Sequence, residues 1–148
     1  MTICMEASTL MDSEVFLDTA YAIALANAKD QFHHKAVSLA QRLRSQNTRL
    51  ITTRAVLLEI GNALSGYRFR ASAVKMLDAI ELDPTIGIVS LNDHLYSQAL
   101  NLYRTRTDKE WGLIDCLSFV VMRERKLTSV LTTDIHFQQA GFRVLLRE

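Results

Sequence analysis

Apolar and polar positions along the chain alternate between two periods. Short runs rich in Val, Ile, Leu and Thr, "VFLDT" (15–19), "RLITT" (49–53), "IGIVSL" (86–91), "TSVLTTD" (128–134) and "FRVLL" (142–146), read as strands. Between them lie segments of helical period. "AYAIALANA" (20–28) is Ala-rich and unbroken, and "HHKAVSLAQRLRSQ" (33–46) carries Ala36, Leu39, Ala40 and Leu43 at helical spacing. "AVLLEIGNAL" (55–64), "ASAVKMLDAIEL" (71–82) and "DHLYSQALNLYRT" (93–105) follow, the last with Asn92 or Ser90 in place to cap it. "LIDCLSFVVMRERK" (113–126) is apolar nearly all round and reads as a buried helix with a basic tail, and "HFQQA" (136–140) as a short one.

Strands alternating with helices predict right-handed crossovers and a three-layer α/β/α architecture, with a central parallel sheet of four to five strands. A chain of 148 residues is expected to form a single domain over 15–148, with residues 1–14 as an unordered N-terminal extension and Met5 or Met11 as an alternative start. With 1 Pro and 5 Gly there is no linker or low-complexity stretch.

The net charge of +1 supplies no global field for a polyanion, so any nucleic-acid contact must come from a local patch. The 2 cysteines, Cys4 and Cys116, form neither a disulfide framework nor a zinc site, which suits a reducing, cytoplasmic setting. The N-terminus lacks the basic and continuous apolar regions of a signal peptide, and no run is long enough to span a bilayer.

Two of the strand-like runs end on carboxylates, Asp18 and Asp134. Ligands of open parallel sheets bind at the carboxyl ends of the strands, so the two acids share a cleft if their strands are neighbours. Two further acids sit in apolar helical segments. Glu59 has Ala55, Val56, Asn62 and Ala63 at three and four residues, and Asp115 has Trp111, Gly112, Ser118 and Phe119. Neither has a local Lys or Arg, so each requires a distant cation, a metal or a raised pKa. Taken singly, each acid is explained by a turn, a solvent face or a helix cap. A Thr107–Glu110 capping box would start a helix one turn too early to account for Asp115. Jointly, four acids in one crevice repel by several kcal/mol per close pair and require cations. All-oxygen ligation selects a hard ion, Mg²⁺ or Mn²⁺, as used in phosphodiester hydrolysis.

"VFLDT", Glu59 in "LLEIGNAL", "WGLIDCLSFVVM" and "LTTDIHFQQAGFRVLL" resemble the acidic motifs of the PIN-domain nucleases, in particular the single-domain toxins of VapBC type. The resemblance runs from about Val15 to Leu146, and departs mildly at Ile114, where a Thr or Val often precedes the third acid. It implies that Asp18, Glu59, Asp115 and Asp134 are the catalytic, metal-holding acids. It further implies Mg²⁺- or Mn²⁺-dependent endoribonuclease activity through a metal-activated water, a homodimer and an inhibitory antitoxin. The alternative is a catalytically silent PIN-like module that binds RNA or protein. A haloacid-dehalogenase phosphatase is disfavoured because Ala20 stands where its second Asp belongs. A receiver domain is disfavoured by the lack of a Lys in "FRVLL".

Other residues read as follows. Thr19 and Thr132 could hold a metal-bound water or bond their own backbone. His136 is read as a surface or helix-start histidine, Cys116 as inert, and Trp111 and Phe137 as packing. "GYRFR" (66–70) is either an RNA contact or, slightly preferred, a solvated turn with its aromatics tucked inside. Arg104, Arg106 and Lys109 are candidates to flank the cleft, and Arg123, Arg125 and Lys126 suit a helix C-terminus. Apolar surface on 20–28, 55–64 and 93–103 supports the dimer and an antitoxin groove.

Overall fold

In the computed structural model, which describes residues 10–148, five parallel strands lie in the order β3-β2-β1-β4-β5. They are β1 (Glu14–Leu17), β2 (Arg49–Thr53), β3 (Ile86–Val89), β4 (Ser129–Leu131) and β5 (Arg143–Val144). The helices are α1 (Thr19–Ala26), α2 (His33–Ser45), α3 (Arg54–Ala63), α4 (Arg70–Leu82), α5 (Asp93–Thr105), α6 (Leu113–Glu124) and α7 (Ile135–Gln139). The expected three-layer parallel architecture is therefore the observed one. The expectation of an N-terminal extension falls, for residues 1–9, outside the described residues. Met11 packs against the core, its N–H bonded to Gln46.

Strand order explains the layers. The steps β1→β2→β3 run one way across the sheet, and the return to β4 and β5 runs the other. Right-handed crossovers then put α1–α4 on one face and α5–α6 on the other. The packing agrees: α1 meets α2 and α3, α3 meets α4, and α5 meets α6. The point of reversal lies between β1 and β4, paired through Phe16–Val130 and Leu17–Leu131.

Local chemistry fixes the element ends. Thr53 Oγ1 accepts the Val56 N–H at 3.1 Å to cap α3, and Asn92 Oδ1 accepts that of Leu95 at 2.9 Å to cap α5. Helix α7 closes in a Schellman turn on Gly141 (φ 96°), with Phe142 N–H on Phe137 O and Gly141 N–H on Gln138 O.

The core has an aromatic cluster beside β1 and β4. The Phe119 ring lies edge-on to both Trp111 and Phe137, with centroids 4.9 Å apart in each case. Trp111 and Phe137 are thus packing residues, as read, and Cys116 is fully buried. One element differs from expectation. "FRVLL" contributes only Arg143 and Val144 to the sheet, after which Leu145–Arg147 curl into a 3-10 turn. The curl buries both Leu145 and Leu146.

Candidate active site

Asp18 immediately follows β1 and is 5% exposed. Its position at the head of α1 would let it cap that helix, but its side chain makes no such bond. Instead, Oδ2 accepts a 2.7 Å hydrogen bond from the Thr132 hydroxyl, just past β4. Burial pushes the Asp18 carboxyl up to about 7, and the negative charges of Asp115 and Glu59 push the same way. The Thr132 bond and one from the Thr19 backbone oppose the rise.

Glu59 projects from α3 and accepts the Thr19 hydroxyl. Neither threonine behaves simply as read: the hydroxyls hold acids, and Thr132 Oγ1 also accepts the Asp134 N–H at 3.1 Å. Asp115 stands at the third position of α6, where its Oδ2 accepts the Gly112 N–H at 3.1 Å. The helix-cap reading of Asp115 is therefore true as far as it goes, since Gly112 has no side chain to reciprocate. The Thr107–Glu110 segment starts no helix; it lies in the turn between α5 and α6. Burial raises the Asp115 carboxyl, and nearby Asp134 raises it further, against the Gly112 bond and His136.

Asp134 caps α7, its Oδ1 accepting the His136 N–H at 2.8 Å. His136 does start a helix, but its side chain is not free on the surface. Its Nδ1 lies 3.4 Å from Asp115 Oδ2 and 3.3 Å from Asp134 Oδ1. Side-chain atoms of Asp115, Asp134 and His136 come within 4.8 Å of one another. Reading the sequence placed His136 outside the site because nothing in the spacing reveals that the Asp134 turn aims the ring at α6.

The acids thus form a continuous electrostatic group, Glu59 and Asp115 acting on Asp18, and Asp134 on Asp115. Among the described residues none of the four is paired with a Lys or Arg. Such a set of oxygen donors, with no Lys or Arg against it, fits a hard divalent ion. An apolar cavity of about 410 Å³ lies elsewhere. It is lined by Leu25, Leu43, Met76 and Ile80, with Thr48 and Thr85 at the opposite ends of the strands from the acids.

The basic candidates separate. Arg106 is engaged with Asp108 at 2.9 Å and lies over the Trp111 ring at 4.7 Å. In "GYRFR", Phe69 packs on the core, but Tyr67 is fully exposed, so the reading with both aromatics tucked in is corrected.

The PIN domain family model matches residues 15–143. The chain is 30% identical over 132 residues to the 23S rRNA-specific endonuclease VapC20 of Mycobacterium tuberculosis, from two strains, covering 86% of this chain and 95% of that protein. It is also similar to the crystal structure of Mycobacterium tuberculosis VapC20, described as a sarcin–ricin loop cleaving toxin. There the TM-score is 0.77, with 28% identity over 86% of this chain and 95% of the other. The sheet order, the acids at its reversal point and these likenesses lead to one conclusion: the chain belongs to the PIN-domain family.

Proposed function

We propose that this protein is a divalent-metal-dependent endoribonuclease and the toxin of a toxin–antitoxin pair, with Asp18, Glu59, Asp115 and Asp134 as its catalytic acids. The observation that carries the reading is the buried Asp18, coupled to Glu59 and Asp115, with no Lys or Arg among the described residues paired to any of them. All four acids are present, which argues against a silent binding module. The oxygen-rich donor set suits Mg²⁺ or Mn²⁺. When bound, such an ion supplies charge neutralisation at the scissile phosphate and lowers the pKa of water for attack.

The side chains divide the remaining work. Thr132 holds Asp18 and Thr19 holds Glu59, so the acids of the α1–α4 side are oriented before substrate arrives. Gly112 N–H holds Asp115, and the His136 backbone holds Asp134. The relatives' names make 23S rRNA and its sarcin–ricin loop the first substrate to try. RNA cleavage with Mn²⁺ or Mg²⁺, and its loss in EDTA, tests the reading. RNA binding without cleavage would favour the silent module.

For partners, the 410 Å³ cleft between α1, α2 and α4 suits an apolar antitoxin helix, with Arg44 and Asp83 as polar contacts. A homodimer is supported by apolar side chains left exposed on α3, α4 and α5: Leu58, Val74, Tyr96 and Tyr103. Helix α1 buries Tyr21, Ala22 and Ala24 against the core and offers Leu25 to the cleft. No helix among the described residues is long and apolar enough to cross a membrane.

A further inference from the structure

The His136 ring is held in an unusual position. Its backbone N–H is tied to Asp134 Oδ1, which fixes the start of α7 and directs the imidazole toward Asp115. The Nδ1 atom is shut off from solvent and lies within ion-pair range of Asp115 and Asp134, with no well-formed hydrogen bond to either. Two carboxylate oxygens lie at 3.3 and 3.4 Å, longer than a well-formed N–H···O bond. A polar atom shielded from water and held by no well-formed bond is costly, and persists where something else satisfies it.

The spacing shows what that could be. Adjacent ligands of an octahedral ion, at about 2.2 Å from it, stand about 3.1 Å apart. Nδ1 lies 3.3 and 3.4 Å from the two carboxylate oxygens, close to that separation. No Lys or Arg among the described residues competes for the position.

We propose that His136 Nδ1 is a ligand, beside Asp115 and Asp134, of the divalent ion in this site, and that its nitrogen biases the site toward Mn²⁺ over Mg²⁺. The inference rests on the metal-dependent reading above and adds a residue to it. Imidazole is a good ligand for transition ions and a poor one for Mg²⁺, which prefers oxygen and keeps its waters. Coordination through Nδ1 leaves the ring proton on Nε2.

Two binding measurements test this without reference to activity. Pulsed electron paramagnetic resonance of the wild type loaded with Mn²⁺ should show the ¹⁴N modulation of a directly bound imidazole. His136→Ala and His136→Gln should abolish it. Calorimetric Mn²⁺ affinity should fall about tenfold or more in both variants, whereas Mg²⁺ affinity changes little. A wild type that binds Mn²⁺ without nitrogen modulation overturns the inference and leaves the ribonuclease reading standing. Unchanged Mn²⁺ affinity in folded variants does the same. A wild type that binds no divalent ion overturns both. The wild-type spectrum decides the point even if the variants fail to fold.

Discussion

Thr132 and Asp18, 114 residues apart in sequence, meet through a 2.7 Å bond in which the hydroxyl donates to the carboxylate. The same hydroxyl accepts the Asp134 N–H, so one side chain ties the carboxyl ends of β1 and β4 to two acids at once. Thr132→Val keeps the shape and removes both bonds. It should cost about 1–3 kcal/mol of stability, the usual penalty for buried polar groups left unpaired, and lower cleavage at least tenfold. Thr132→Ser should restore most of both. Urea unfolding and RNA cleavage of the two variants check this, and a fully active Thr132→Val contradicts it.

The raised carboxyl of Asp18 predicts how metal-free stability changes with pH. Its pKa moves from 3.8 to about 7, so the folded state holds the proton more tightly than the unfolded chain. The contribution is fully present below the unfolded value and is lost as pH rises through the folded one. It amounts to on the order of 4 kcal/mol. Denaturation midpoints in EDTA should therefore fall as pH rises from about 4 to about 7 and level off above. Asp18→Asn should flatten the profile and be the more stable protein at pH 8. Saturating Mn²⁺ should stabilise the wild type by about 2–3 kcal/mol at a hundredfold excess over Kd, and the variant much less. A pH-independent, metal-indifferent wild type would remove the electrostatic basis of the site.

These two relationships also mark the limit of what the chain discloses before folding. The alternation of strands and helices was legible, because β-branched runs and helical spacing are local properties. Asp18 and Asp134 could be placed at strand ends for the same reason. Asn92 was legible as a cap, since a cap acts within one turn. The partners of the acids were not, because Thr19–Glu59 and Thr132–Asp18 depend on which strands and helices become neighbours. His136 depends on the angle at which α7 leaves Asp134. Spacing carries no record of that angle.

Ser118 lies on α6, one turn beyond Asp115, fully buried with a hydroxyl that has no hydrogen-bond partner. Its burial gives no compensating bond, so Ser118→Ala should stabilise the protein by about 1 kcal/mol. Thermal melts in EDTA would show the gain. Cleavage should be unaffected, and a loss of stability would show that the hydroxyl has an unseen role.

The proposed dimer has a direct test. Val74 on α4 is 53% exposed and Leu58 on α3 is 65% exposed, on helices that pack together. Sedimentation at tens of micromolar, where weak dimers populate, should show a dimer. Val74→Glu should shift it to monomer with the fold retained. A wild-type monomer at that concentration contradicts the proposal.

The most direct test of the central claim is cleavage of an RNA carrying the sarcin–ricin loop, together with an unrelated RNA. Wild type, Asp18→Asn and Asp115→Asn are each assayed with Mn²⁺, with Mg²⁺ and with EDTA. The account predicts cuts by the wild type that require the divalent ion. It also predicts a loss of about a hundredfold or more in both variants, as when a group acting directly on the transition state is removed. Both variants should bind RNA and melt as folded proteins. Cleavage that persists in EDTA, or that both variants perform at the wild-type rate, would contradict the account.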